Sequence, residues 1–270
     1  MGLTKSDNYT TFYDTQGRAV SWVVSACRKD RFEQVTWWFP IVGTLPYKGY
    51  FSADDARREG AALEAKGYDV TVRPVAAYST LGWFSDPVFS TMLRHDNVDL
   101  VALILHELTH GTVFASGRGD WNEALAEFTG REGARQFFAA KHGDGSAEAQ
   151  RAAKRFEDDE RVDGFVTRVH DRLLRLYASG RAGHEILALR DQLWTEAREE
   201  FEVFRATLHA PDERAGDFRG RLNNAELMAR RRYGRFDGFR KAFAAAGRDW
   251  KTFFEAMRKA AESEDPFKYE

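Results

Sequence analysis

The stretch DLVALILHELTH, residues 99–110, constrains the fold of this chain more than any other. A strongly apolar helical segment that ends in two histidines and a glutamate must be buried, and its polar groups then need partners. His106 and His110 are four apart, so on a helix they share one face, one turn apart. That spacing lets both imidazoles reach one ion at about 2.0–2.1 Å. Glu107 is rotated about 100° from His106. There it can reach a water on the ion without filling a coordination position. Zinc lowers the pKa of such a water towards 7, and a neighbouring carboxylate can take its proton. His106 and His110 are therefore candidate ligands of one zinc ion, and Glu107 is the candidate general base.

A catalytic zinc takes three protein ligands and keeps one position open. Extension of the motif by a glycine and a histidine, three and six residues on, is excluded, because those positions hold Val113 and Ser116. The next helical carboxylates are in DWNEALAEF, residues 120–128. Glu123 and Glu127 are four apart and share a face. Glu123 suits the third ligand, and Glu127 suits a hydrogen-bond partner for a ligand histidine. Asp120-x-x-Glu123 also fits a helix capping box, which would turn Glu123 back onto its own helix start. Spacing alone leaves both readings open.

Bulk properties narrow the class. The chain has 270 residues, 43% hydrophobic and 14% aromatic, enough for a sizeable core. Lys plus Arg is 40 against 42 for Asp plus Glu, and a net charge of −2 gives no electrostatic reason to expect a nucleic acid partner. The single cysteine, Cys27, excludes an internal disulfide and any cysteine-rich zinc motif. No apolar run approaches the roughly 20 residues of a membrane span, and the start MGLTKSDNYTTFYD lacks a secretory pattern.

Residues 1–80 read as β-rich. YTTFYDTQGRAVSWVVSA suggests two strands around a turn at Thr15-Gln16-Gly17, and VTWWFP another strand. Residues 52–66 read as a helix capped by Ser52 and stopped by Gly67, followed by a strand through Val75. Asp86-Pro87 predicts a short helix to His95, and Asp99 a cap for the helix carrying HELTH. Two charged helices, about 146–178 and 183–209, form a helical hairpin split at Ala178-Ser179-Gly180. A last helical block runs from Asn223 to Ala261. The expectation is one α+β domain over 1–270. A small N-terminal mixed β-sheet with a helix (about 1–80) packs on a larger helical part (about 86–265). That part carries the HExxH zinc site and the long hairpin of 146–209.

HELTH with NExxA resembles the thermolysin-like gluzincin pattern, HExxH followed by NExxSD on the next helix. There the glutamate after Asn is the third ligand, and an acidic residue four later orients the first histidine. Those roles fall on Glu123 and Glu127. The thirteen positions from His110 to Glu123 are fewer than in thermolysin, so the whole fold is not shared. Over nearly the entire chain, WWFPIVGTLPYKGYF, VRPVAAYSTLGWFSDPVFSTML, LILHELTHGTVF, DWNEALAEFTG and RLNNAELMARRRYGR resemble the bacterial predicted-aminopeptidase family of zinc metallopeptidases. The resemblance implies a hydrolase with one Zn2+ that cuts peptide or protein substrates as an aminopeptidase. Members usually carry an N-terminal lipoprotein-type or membrane-anchoring signal, and the expectation is that this chain is without one. The expectation is a soluble protein, in the cell envelope or periplasm if an anchor has been removed and in the cytoplasm otherwise. Two other functions fit the same residues: a non-catalytic zinc-binding interaction module of the cell envelope, and an endopeptidase for one protein partner.

Supporting residues are read from their surroundings. The loop AYSTLGWFSDP offers Trp83 as a pocket wall and Tyr78 as a donor to the oxyanion that forms on the peptide carbonyl. Tyr233 is a competing donor. Asn224 is a substrate contact or a helix cap. Arg131 meets a substrate carboxylate or solvent. Residues 70–76 could hold an extended peptide along a strand edge.

Overall fold

The computed structural model describes residues 1–40, 43–75, 85–214, 218, 222–231 and 236–268. Its strands are β1 (Phe12–Tyr13), β2 (Ser21–Cys27), β3 (Trp37–Phe39), β4 (Gly43–Leu45), β5 (Lys48–Tyr50), β6 (Asp69–Val75) and β7 (Val88–Phe89). Helix α1 (Ala53–Ala65) falls between β5 and β6. After β7 come α2 (Asn97–His110), α3 (Gly119–His142), α4 (Ala147–Tyr177) and α5 (Gly183–Arg205). The chain continues through α6 (Asn224–Arg231), α7 (Asp237–Ala245) and α8 (Trp250–Ala261). The protein is thus α+β, with small N-terminal sheets and a larger helical part.

The main sheet is antiparallel, in the order β5-β2-β6. Four consecutive residues of β2, Val24 to Cys27, are buried, because both faces of the sheet are covered. Helix α1 lays Ala56, Gly60 and Leu63 against Val24, Ala26 and Val70. Its first turn is closed by Ser52, whose Oγ accepts from the Asp55 amide at 3.3 Å. A methyl at Gly60 would lie 2.8 Å from Val72 Cγ2, so glycine sets how closely α1 approaches the sheet. Helix α6 also packs on β2 and β6.

Two N-terminal expectations are corrected. β1 does not form a hairpin with β2, whose two edges are already taken by β5 and β6. It pairs in parallel with β7, and Thr15 bonds Ser90 through its amide at 2.9 Å. Residues 87–95 are not a helix, because the amides of Val88 and Ser90 donate to the carbonyls of Thr11 and Tyr13. A single 3-10 turn, Met92–Arg94, follows.

The helical hairpin forms as its periodicity predicts. Phe165, Val169 and Leu173 of α4 pack with Trp194, Ala197 and Phe201 of α5. An aromatic core of Trp121, Phe128, Phe239, Phe243, Trp250 and Phe253 joins α3 to α7 and α8. Between these cores α2 and α3 cross very closely. A Cβ on Gly130 would stand 2.5 Å from the Ala102 carbonyl oxygen, closer than real Cβ atoms come, so only glycine permits this crossing. No helix among the described residues is long and apolar enough to cross a membrane.

Candidate metal centre

Helix α2 presents the HELTH residues from a capped start. Asp96, rather than Asp99, is the cap, with its Oδ1 accepting from the amides of Val98 and Asp99 at 2.8 and 2.9 Å. Asp99 pairs instead with Arg155 of α4 at 3.0 Å. The correction is one turn, and its cause is the choice between two aspartates three apart, which tertiary pairing makes.

The connector between α2 and α3 is fixed by Asn122. Its Oδ1 accepts from the Ala115 amide and its Nδ2 donates to the Ala115 carbonyl, both at 2.8 Å. Helix α3 starts at Gly119 with no side-chain cap at Arg118, and Asp120 lies inside its first turn. Glu123 therefore faces away from the helix start and towards α2. Its Oε2 lies 3.5 Å from His106 Nε2 and its Oε1 4.0 Å from His110 Nε2. The two Nε2 atoms are 3.2 Å apart.

His106, His110 and Glu123 thus offer three ligand atoms that all lie within 4.8 Å of one another, a cluster that can hold a metal ion. Ligands at about 2.0–2.1 Å in a tetrahedral site stand about 3.3 Å from each other, close to the 3.2 and 3.5 Å found here. The donor chemistry, two imidazoles and a carboxylate, suits zinc.

A second set of contacts supports the first. His106 Nδ1 meets Glu127 Oε2 at 3.2 Å. Glu127 Oε1 accepts from Arg131 Nε at 2.7 Å, and Arg131 Nη1 donates to Asp163 of α4 at 2.9 Å. Arg131 thus turns inward and is engaged by two carboxylates, with only a small part of its side chain exposed. It also borders a cavity of about 410 Å3 between α3, α4 and α7, which none of the metal-cluster residues lines.

Electrostatics follow from this chain. Burial works against the charged form of His106, but Glu123 and Glu127 outweigh it and raise its pKa well above the ordinary value. Burial lowers His110 to about 4, only partly opposed by Glu123. Burial also opposes the Glu127 carboxylate, yet Arg131 and His106 hold it down to about 2. Asp163 shares the same arginine but is raised by burial to about 6. Glu107, next to His106, is raised by burial to about 7, with His106 opposing and Glu123 and Asp86 adding to the rise.

Three neighbours of the cluster escape sequence reasoning. Tyr47, in the turn between β4 and β5, points its hydroxyl to Glu123 Oε1 at 3.5 Å. Tyr9 and Asp86 lie within electrostatic reach of Glu107. All three arrive from distant segments, and no local spacing marks them. β6, the strand expected to hold an extended peptide, is met by Asn223 and Glu226: Asn223 Nδ2 donates to the Val70 carbonyl and Thr71 Oγ1 donates to the Glu226 carboxylate. Asn224 lies elsewhere. It is fully buried, donates to the carbonyls of Arg28 and Lys29 and accepts from Tyr177 at 2.8 Å, an arrangement that joins sheet to hairpin. Tyr78, Trp83 and Tyr233 lie outside the described residues.

No curated protein and no solved structure matches the chain. The model of one family, Aminopep, described as "Putative aminopeptidase", matches residues 1–268. The motifs spread along the chain and the match over almost its whole length agree, and the chain belongs to the Aminopep family.

Proposed function

We propose that the protein is a zinc-dependent metallopeptidase that removes residues from the N-terminus of peptides. The observation that carries this reading is the convergence of His106 Nε2, His110 Nε2 and a Glu123 carboxylate oxygen, with Glu107 beside them on α2. Membership of the family supports the peptidase part.

In this reading His106, His110 and Glu123 hold one zinc ion. When bound, zinc supplies a Lewis acid that brings the pKa of a coordinated water towards 7 and polarises the scissile carbonyl. Glu127 accepts the Nδ1 proton of His106, which fixes the tautomer and leaves the Nε2 lone pair facing the ion. Arg131 holds Glu127 in its ionised form. Glu107 accepts a proton from the attacking water on its carboxylate and passes it to the departing amine. Tyr78 and Tyr233 remain candidate donors to the oxyanion, and Trp83 a candidate pocket wall. A structural zinc has no use for an adjacent base, so Glu107 favours hydrolysis over a purely binding module.

Glu107→Gln tests the assignment. The variant is expected to retain one zinc per chain by elemental analysis and to lose about 10²–10⁴-fold in peptide hydrolysis. Full activity of Glu107→Gln would remove Glu107 from the mechanism.

A further inference from the structure

The cavity of about 410 Å3 between α3, α4 and α7 takes no part in the mechanism above. Its floor is aromatic. Phe128, Phe156, Phe236 and Phe243 line it, and each is only 4–7% exposed. Close-packed interiors leave few voids larger than a water molecule. Small-molecule pockets start at about 300 Å3 and combine apolar walls with a few placed polar groups. A space of this size against four buried rings is therefore more than slack in the packing. Its wall is braced from behind. The Trp250 ring lies 4.3 Å from that of Phe243, and Trp250 Nε1 donates to Gln136 of α3 at 2.8 Å.

The rim carries the charge. Arg135 donates to both carboxylate oxygens of Glu132, at 2.9 and 2.6 Å, and Gln136 donates to Glu132 at 2.9 Å. Arg240 pairs with Glu160, and Glu157 meets His209 Nε2 at 3.0 Å. Each rim carboxylate thus has a partner within the protein. Arg248 differs. Its exposed guanidinium has no hydrogen bond and no ion pair among the described residues, and it reaches Glu132 only as a Coulombic neighbour. Its backbone is fixed at the end of α7, where its amide donates to the Phe243 carbonyl at 2.9 Å and its φ is 59°. The uncommitted charge of the rim is therefore positive, and the space beside it is apolar.

We propose that this cavity binds an organic anion with a compact apolar body, such as an aromatic carboxylate. The anionic group meets Arg248, and the body lies against the phenylalanines. One wall links this ligand to the metal cluster. The Arg131 guanidinium stands 4.8 Å over the Phe236 ring, and the same guanidinium holds Glu127, which meets His106. A body packed on Phe236 keeps ring and guanidinium in place. An occupied cavity therefore favours the zinc-binding arrangement, and zinc by reciprocity favours the ligand. The ligand site itself needs no metal, and only this link rests on the zinc reading above.

The test is calorimetric titration of the full chain with 4-phenylbutanoate and 4-phenylbutylamine, which share a body and differ in charge. The acid is expected to bind with a Kd on the order of 100 μM. The amine is expected to bind about tenfold more weakly or less, the worth of one charge-assisted hydrogen bond. Arg248→Gln is expected to bring the two probes within about twofold. Ala244→Trp from α7 and Ala153→Trp from α4 each place a large ring in the cavity from an exposed lining position. Both are expected to abolish binding of the acid at unchanged zinc content. Absence of saturable binding by the wild type overturns the site, and so does equal binding of acid and amine. Binding that survives in both tryptophan variants places the acid elsewhere, at the zinc for example, and also overturns it. The link is read from zinc-loaded against metal-free protein. The acid is expected to bind the loaded form about fivefold more tightly, and equal affinity overturns the link. A chain that takes up no zinc overturns the metal reading, while titration of the metal-free protein still decides the cavity.

Discussion

Two buried polar clusters tie elements of this molecule together, and they are built on opposite principles. One joins the sheet to the helical hairpin. Arg190 of α5 forms a short contact with Asp69 of β6, and Asp69 also accepts the Asn224 amide at 2.9 Å. Donors and acceptors alternate, and the charges of Asp69 and Arg190 cancel within the cluster. The other joins α2 to α3. Two imidazole nitrogens and a carboxylate crowd within 4.8 Å, all of them groups able to offer a lone pair to one cation. The contrast explains why burial of polar groups does not by itself mark a site. The structural cluster balances its own charge, whereas the other can hold a cation from outside.

Variants that break one cluster should spare the other. The largest effect is expected for Glu123→Ala, which should lose most bound zinc by elemental analysis while the metal-free protein keeps its melting temperature within a few degrees. Retention of zinc near one per chain would take Glu123 out of the ligand set. Arg190→Met is its mirror image. Removing one partner of a buried ion pair costs about 3–5 kcal/mol, to be read as a lower urea midpoint, with zinc per folded chain unchanged.

Glu127→Gln probes the link between ligand and support. Loss of such an outer partner lowers metal affinity about 10–100-fold, measurable by competition with a chelator. It also has a pH signature. The folded state holds the Glu127 carboxyl at about 2, below its ordinary 4.5. Its contribution to stability is therefore present above about pH 4.5 and lost as pH falls towards 2. Thermal melts of metal-free Glu127→Gln should be flatter across that window than those of the wild type. The smallest effect is expected for Gly130→Ala. A methyl forced against the Ala102 carbonyl should cost about 1–3 kcal/mol and weaken zinc binding, because α2 must move away from α3. A variant as stable as the wild type would mean that the crossing tolerates more room than the contact suggests.

The parts of this arrangement legible in the sequence are those encoded within one or two helical turns. The HELTH face, the Glu123/Glu127 face, the Ser52 cap and the α4–α5 hairpin each depend on spacings of three or four residues. Parts set by distant contacts were not legible. β1 turns to β7 because β2 is already paired on both sides. Residues 87–95 give up a helix because their amides meet β1. Asp96 takes the cap while Asp99 pairs with Arg155 across to α4. Tyr47 reaches Glu123 across 76 positions of chain, and nothing in a local window marks such a partner. Arg131 reads as an ordinary surface arginine until α4 brings Asp163 to it.

The double hydrogen bond from Asn122 to Ala115 has a consequence for how this chain can vary. It closes the connector into a loop of set length, and the tight crossing at Gly130 fixes where α3 must run. One inserted residue would carry Asn122 to the place where Glu123 faces the histidines, and one deletion would carry Ala124 there. Each shift turns the helix face by about 100°. Residues 116 and 118 can therefore be exchanged with little effect on the ligands, whereas Gly117, at φ of 71°, favours glycine, and none can be added or removed unless the glutamate moves in step.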